Sequence, residues 1–243
     1  MSKVKKGGRL PISVSRKFIL SDKTQFVIKE AYKTARANLV FSLAPFESKI
    51  VVVTSCAPAE GKSTNCLNLA ITMAETGASV LLIDADMRKP VQHSLLRLDN
   101  KKGLSSILGG ITSDVGEAIT KNVRDNLSVI TSGPIPPNPA ELLSSKRMSE
   151  LMGIVGKYYD YVFIDTPPVT VVTDAFLMNE TVSGMVFVVK EGYTTHVEIG
   201  EALQKAKMTN AKVLGFIKAN CNYKGKSGYS SYRYKYRYNY EGN

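Results

Sequence analysis

No apolar run in this chain approaches the 18 or so residues that cross a bilayer. Met1 to Arg16 carries basic residues with no apolar stretch behind them, which excludes a secretory leader. The expectation is a soluble, untargeted protein. Cysteine is scarce: Cys56, Cys66 and Cys221 are an odd number without pairing or metal-ligand spacing, which excludes a disulfide scaffold and implies a reducing cytosol. Acids are missing from the ends. Met1 to Lys17 holds Lys3, Lys5, Lys6, Arg9, Arg16 and Lys17 and no acid, and Tyr223 to Asn243 holds Lys224, Lys226, Arg233, Lys235 and Arg237 against Glu241 alone. These two segments account for nearly all of the formal net charge of +11, so the body between them is close to neutral. Basic character belongs to two tails and not to a groove on a folded domain.

What is present is enough apolar sequence, 44% of 243 residues, for one large core. The chain is organised around Lys49 to Leu69. Ile50-Val51-Val52-Val53-Thr54 is β-branched and too short for a helix, and reads as a buried parallel strand. It turns through Ser55-Cys56-Ala57-Pro58-Ala59-Glu60 into Gly61-Lys62-Ser63-Thr64 and a helix with Leu67, Ala70, Ile71 and Ala74 at helical spacing. Strand, loop, Gly-Lys-Ser-Thr and helix is the context of a phosphate-binding loop. Backbone N–H groups and the helix N-terminus face an anion, Lys62 reaches the outer phosphates, and the Ser63 hydroxyl is placed for Mg²⁺. Cys56 stands where the full pattern wants Gly. Two more buried strands end in acids, Val80 to Asp84 with Asp86 behind it, and Tyr161 to Asp165. Ligands of parallel sheets sit beyond the strands' carboxyl ends, so a Lys, a Ser and three Asp converge on one crevice.

Around this centre strand and helix alternate, which predicts a doubly wound, mostly parallel α/β sheet of the P-loop NTPase kind. The expected divisions are a basic mobile arm over 1–22, one domain over 23–222 and a tyrosine-rich tail over 223–243. Beyond Asp22 a helix is expected with Ile28, Ala31, Ala35 and Leu39 on its apolar face, and a charged stripe of Glu30, Lys33 and Arg36 that spacing alone reads as solvated. Arg88 and Lys89 follow the second strand, placed to neutralise its carboxylates or phosphate oxygens. Short helices are expected at Leu104 to Leu108 and Asp114 to Ile119, and a strand at Leu127 to Thr131. A rigid Pro-rich loop over 133–139 leads into one helix, Ala140 to Gly156. Later elements are a helix from Asp174, a strand from Met185, a helix from Thr194 and a last strand, Val213 to Ala219.

From Tyr223 the apolar pattern stops, and seven of the chain's twelve tyrosines fall in the last 21 residues. With no Val, Ile or Leu beside them and three glycines among them, such a segment is expected to be disordered. It reads as a low-complexity solubility tail, a nucleic-acid arm stacking Tyr on bases, or a set of acceptors for the phosphate of a bound nucleotide. The last reading joins an ATP site to flexible hydroxyls. Each phosphotyrosine adds roughly −1.5 to −2, so phosphate on three tyrosines brings this positive tail to about zero.

The run Thr54 to Thr64, the segments Leu82-Ile83-Asp84-Ala85-Asp86-Met87-Arg88-Lys89-Pro90 and Val162-Phe163-Ile164-Asp165-Thr166-Pro167-Pro168, and the terminal tyrosines closely resemble the bacterial tyrosine kinases of capsule and exopolysaccharide synthesis. The soluble CpsD type of Gram-positive bacteria is the nearest. The resemblance covers about residues 25 to 222 plus the tail. It implies Walker A, Walker A′ and Walker B motifs, with MgATP phosphates along Ala57, Pro58, Ala59, Glu60, Gly61, Lys62, Ser63 and Thr64, and with Asn220 or Asn222 facing adenine. Ser63, Asp86 and Asp165 then hold Mg²⁺, and Asp84, the remaining carboxylate, orients or deprotonates the incoming tyrosine hydroxyl. Glu30-Ala31-Tyr32-Lys33-Thr34-Ala35-Arg36 is similar to the family's ring-forming motif and moves Glu30, Lys33 and Arg36 from solvated stripe to subunit contact.

The activity so implied is transfer of phosphate from MgATP to Tyr229, Tyr232, Tyr234, Tyr236, Tyr238 and Tyr240, between subunits of a homo-oligomeric ring. The implied partners are a transmembrane adaptor that recruits a cytoplasmic kinase to the inner face of the cell membrane, and a cognate tyrosine phosphatase; no nucleic acid is expected. The alternative is a MinD or ParA type switch ATPase, whose loop carries a Lys where Ala57 stands here. Three departures from the family matter. Ala59 replaces a Gly, and Ala resists φ > 0. Lys33 replaces an Arg, losing bidentate pairing. One extra residue lies between Gly215 and Asn220.

Overall fold

The computed structural model describes residues 16–112 and 114–221; the tail with the six tyrosines expected as acceptors, and Asn222, lie outside the described residues. A seven-stranded sheet has the order β3-β4-β2-β5-β1-β6-β7. Its strands are β1 (Ile50–Ser55), β2 (Val80–Asp84), β3 (Ile119–Arg124), β4 (Leu127–Ile130), β5 (Tyr161–Asp165), β6 (Gly184–Lys190) and β7 (Val213–Ala219). All pair in parallel except β3, which pairs antiparallel with β4. The mostly parallel, doubly wound expectation holds. The helices are α1 (Phe26–Leu43), α2 (Lys62–Ala74), α3 (Gln92–Leu96), α4 (Leu104–Leu108), α5 (Pro139–Leu143), α6 (Lys146–Tyr158) and α7 (His196–Met208).

The three central strands are buried on both faces, because their residues alternate between two cores. Ile50, Val52, Leu81, Ile83, Val162 and Ile164 join one with α6 and α7. Val51, Val53, Val80, Leu82, Tyr161 and Phe163 join the other with α1 and α2.

Several expectations need correction. The mobile arm does not extend to residue 22. Leu20 is buried, Arg16 donates from Nε to Ser94 O at 2.9 Å, and Arg124 donates to Leu20 O at 2.7 Å, so the segment from Arg16 is tied to the domain. Helix α1 is rotated from its expected face: Ala31 is exposed and Ile28 is 39% exposed, while Leu39 and Leu43 are buried and Tyr32 and Ala35 pack on the core. The reason is polar: Tyr32 turns inward to hydrogen-bond partners on α2.

The segment Asp114 to Ile119 is a 3-10 turn over Val115–Ala118, with Asp114 accepting from Gly116 N, and then runs into β3. That edge strand is polar, Thr120-Lys121-Asn122, and so left no apolar alternation to read. The helix expected from Ala140 to Gly156 is two helices. Ser145 is extended and caps α6 by accepting from Met148 N, which breaks the chain direction. Asp174–Thr181 is 3-10 throughout.

Candidate active site

Three neighbouring strands deliver the expected residues to one edge of the sheet. β5 lies between β1 and β2, and its register sets Asp165 opposite both Val53 and Asp84. Two carboxylates therefore sit side by side in a buried sheet, a placement no spacing within either segment reveals. Between them and the loop stands Lys62. Its Nζ lies 2.8 Å from Asp86 Oδ2 and 3.3 Å from Asp165 Oδ1, and donates to Ser63 Oγ at 3.1 Å. The Lys62 side chain is 12% exposed and that of Asp165 is fully buried.

Burial by itself would lower the Lys62 ammonium, but Asp165 and then Asp86 outweigh it and hold the group above its ordinary value. Burial pushes Asp165 up, opposed by Lys62 and by the Ser63 hydroxyl. Asp84 is also pushed up, first by burial and then by the neighbouring Asp165. These are the shifts expected where like charges share a dry site with one cation.

Gly61 opens α2 in the left-handed region, φ 88°. The first N–H groups of a helix have no carbonyl within it, so those of Lys62, Ser63 and Thr64 are turned toward the crevice. Ala59 sits at φ 65°. The position does need positive φ, and a residue with a Cβ occupies it. Ala59→Gly is therefore expected to stabilise the domain by about 1 kcal/mol, a rise in Tm of about 2–4 °C in nucleotide-free thermal unfolding. A lower Tm would show the strain to be relieved elsewhere.

Three expectations are altered. Ala57 N–H is not free for phosphate: Glu60, 2% exposed, accepts it at Oε2, 2.9 Å. Its Oε1 accepts from the Thr194 hydroxyl, and Lys190 Nζ donates to Ala59 O at 3.4 Å, so the loop is braced from behind by the end of β6. Asp84 does not open on the crevice. It is fully buried and accepts from the N–H groups of Asp86 (3.2 Å), Val91 (3.1 Å) and Gln92 (2.9 Å), which fixes the turn after β2. Arg88 is engaged away from the carboxylates beside it, with Asp174 at 2.7 and 3.1 Å.

Sequence reading also missed Gln92. It is fully buried, and its Nε2 donates to Ser63 O at 3.0 Å and Asp165 Oδ2 at 2.9 Å. No motif signals it, since both partners are far away in the chain.

Asn220 ends β7 in the left-handed region, φ 60°, and is exposed. Of the charged stripe, Lys33 pairs with Glu30 at 2.8 Å and Arg36 donates to Thr72 O at 2.6 Å. The 3.3 Å and 2.8 Å carboxylate contacts of Lys62, with Ser63 beside it, bring together a hydroxyl and two carboxylates, a hard oxygen set that fits Mg²⁺. Among the described residues no group of three or more His, Cys, Asp or Glu forms a metal cluster. Nor, among those residues, is any helix long and apolar enough to cross a membrane.

A family model described as "AAA domain" matches residues 48–196, the span from β1 to the start of α7. The chain is 40% identical over 221 residues to tyrosine-protein kinase YwqD of Bacillus subtilis, covering 91% of this chain and 92% of that protein. It is 34% identical to tyrosine-protein kinase CpsD of Streptococcus pneumoniae, over 82% of this chain and 88% of that one. Among solved structures, the kinase domain of the Escherichia coli tyrosine kinase ETK superposes with a TM-score of 0.77 at 28% identity, over 94% of this chain and 89% of that one. The cell division ATPase MinD of Pyrococcus furiosus matches at 19% identity and a TM-score of 0.61. That likeness is one of fold.

Proposed function

This chain belongs to the bacterial tyrosine-protein kinases, and on that footing we propose that it transfers phosphate from MgATP to its own C-terminal tyrosines, one subunit acting on another, in control of capsular or exopolysaccharide synthesis and export. The observation that carries the reading is the Lys62 ammonium held by Asp86 and Asp165 at the ends of adjacent strands. A bound Mg²⁺ would neutralise charge on the transferring phosphate; Ser63, Asp86 and Asp165 would hold it. The residues do the rest by position. Lys62 exchanges its carboxylate partners for β and γ oxygens, and the N–H groups of Gly61 to Thr64 line the phosphates. Asp84 could act on the tyrosine hydroxyl only if the turn Asp86–Gln92 released its three backbone hydrogen bonds; as placed, it fixes that turn. Asn220, at the end of β7, or Asn222 contacts adenine.

Glu30, Lys33 and Arg36 build the ring, trading their partners within the chain for a neighbour's. Phe26 and Phe41, 50% and 79% exposed on the same helix, supply apolar area for that contact. A transmembrane adaptor recruits this cytoplasmic chain to the membrane, and a tyrosine phosphatase reverses the modification. Incubation with γ-labelled ATP and mapping of label by residue tests the reading. Label is expected on Tyr229 to Tyr240, at a rate per molecule that rises with protein concentration. A rate independent of concentration rules out transfer between subunits, and free phosphate without labelled tyrosine selects the switch ATPase.

A further inference from the structure

Tyr32 lies inside the stripe assigned to subunit contact but points away from it. Its hydroxyl donates to Asn65 Oδ1 at 2.8 Å and receives Asn68 Nδ2 at 3.0 Å. Asn65 and Asn68 stand one turn apart on α2, 7% and 1% exposed. Asn65 Nδ2 donates in turn to Gly61 O at 2.9 Å, the carbonyl that also accepts the first helical bond from Asn65 N, at 2.9 Å. At the other end Asn68 is fixed by the segment before α1: its Nδ2 donates to Phe18 O at 2.8 Å, and Leu20 N donates to its Oδ1 at 2.9 Å. Donor and acceptor roles are thereby set along the whole line. Asn68 gives to Tyr32, Tyr32 to Asn65, and Asn65 to Gly61.

The end of that line matters because of peptide geometry. The Gly61 carbonyl and the Lys62 N–H belong to one planar unit and point in opposite directions. Holding the carbonyl along the helix aims the N–H outward, at the anion site. Gly61, at φ 88°, is the residue in the loop with the most freedom to let that unit rotate. Two donors on one carbonyl prevent it. The Asn65 amide can serve as the second donor only in one orientation, since a flipped amide would set oxygen against oxygen, and the Tyr32 hydroxyl, already receiving Asn68 Nδ2 and donating to Asn65 Oδ1, reinforces that orientation.

We infer that Tyr32 and Asn65 are positioning residues for the phosphate loop: Tyr32 on the contact helix sets the Asn65 amide, which pins the Gly61 carbonyl and so aims the Lys62 N–H at bound nucleotide. The inference rests on the nucleotide-binding reading above and extends it. A contact made on the Glu30, Lys33 and Arg36 stripe lies on the helix that carries this hydroxyl, so whatever shifts that helix bears on the loop.

The test is a titration with a fluorescent ATP analogue and Mg²⁺ of the unsubstituted protein, Tyr32→Phe, Asn65→Ala and the double variant, with thermal melting alongside. Tyr158→Phe, at a site 77% exposed, is the control. Tyr32→Phe is expected to raise the nucleotide Kd about fivefold and Asn65→Ala about tenfold. The double variant should bind no more weakly than Asn65→Ala alone, because Tyr32 acts through Asn65. Should Asn65→Ala not fold, Asn65→Ser replaces it. A Tyr32→Phe Kd within twofold of the unsubstituted protein, with only Tm lowered, would reduce Tyr32 to packing and overturn the relay. So would losses that multiply in the double variant. Failure of the unsubstituted protein to bind nucleotide overturns the functional reading as well, and the two failures are thus told apart.

Discussion

Lys62→Met is expected to lower phosphate transfer to the proposed acceptor tyrosines by about three orders of magnitude or more, the scale of losing a charged group that acts on a transferring phosphate in a dry site. Met keeps the length of the chain and removes only the cation. Two consequences follow and can be separated. The phosphate loses the ammonium, and Asp86 and Asp165 lose the partner that lies 2.8 and 3.3 Å away. Removing one member of a buried pair costs about 3–5 kcal/mol when the remaining charge cannot find a proton. Here it can. Burial already raises Asp165 from its ordinary value, with Lys62 the leading opposing influence, and without Lys62 it rises further. A carboxylate raised in the folded state favours folding at low pH, and that contribution is lost as pH climbs through the raised value. The Tm gap between Lys62→Met and the unsubstituted protein is therefore expected to widen from pH 5 to pH 8. Labelled tail tyrosines in Lys62→Met would refute the role of Lys62 in transfer; a gap independent of pH would refute the electrostatic account of its partners.

The largest loss of stability is expected at Phe163. It is fully buried on the strand between β1 and β2, paired in register with Val51 and Leu82. Phe163→Ala leaves a cavity among β1, β2 and the inner face of α2, and costs about 3–5 kcal/mol. Against a total of about 5–15 kcal/mol for a domain, that is a large share. Denaturant unfolding should show the midpoint falling with little change in slope. Asp165 is two residues along the same strand, so nucleotide affinity is expected to weaken as well. A loss below 1 kcal/mol would mean that the neighbours close the space, and that β5 is not held as tightly as its burial indicates.

The local elements were legible because local physics writes them. Short apolar runs mark β1, β2 and β5, helical spacing marks α2, and the acids at strand ends mark the crevice. The segments misread are those where a short-range signal was weak or misleading. β3 is polar because it is an edge strand. The residues on either side of Ser144 and Ser145 keep helical spacing, so the cap between α5 and α6 was invisible. Ala59 was flagged as a misfit in its motif, and the structure supplies what the motif could not, a backbone angle that strains it.

The order of residues by itself named most of the side chains that gather at this edge, one Lys, one Ser and three Asp behind a phosphate loop, in a sheet with helices on both faces; it did not name Gln92. Only the folded chain decided which of them face one another. Periodicity records which face of an element is apolar, whereas contact depends on register and rotation between elements far apart in sequence. That is why Asp84 and Asp165 prove to be adjacent, why Lys62 is shared between carboxylates 24 and 103 residues away, and why Tyr32 turns from the exposed stripe to Asn65.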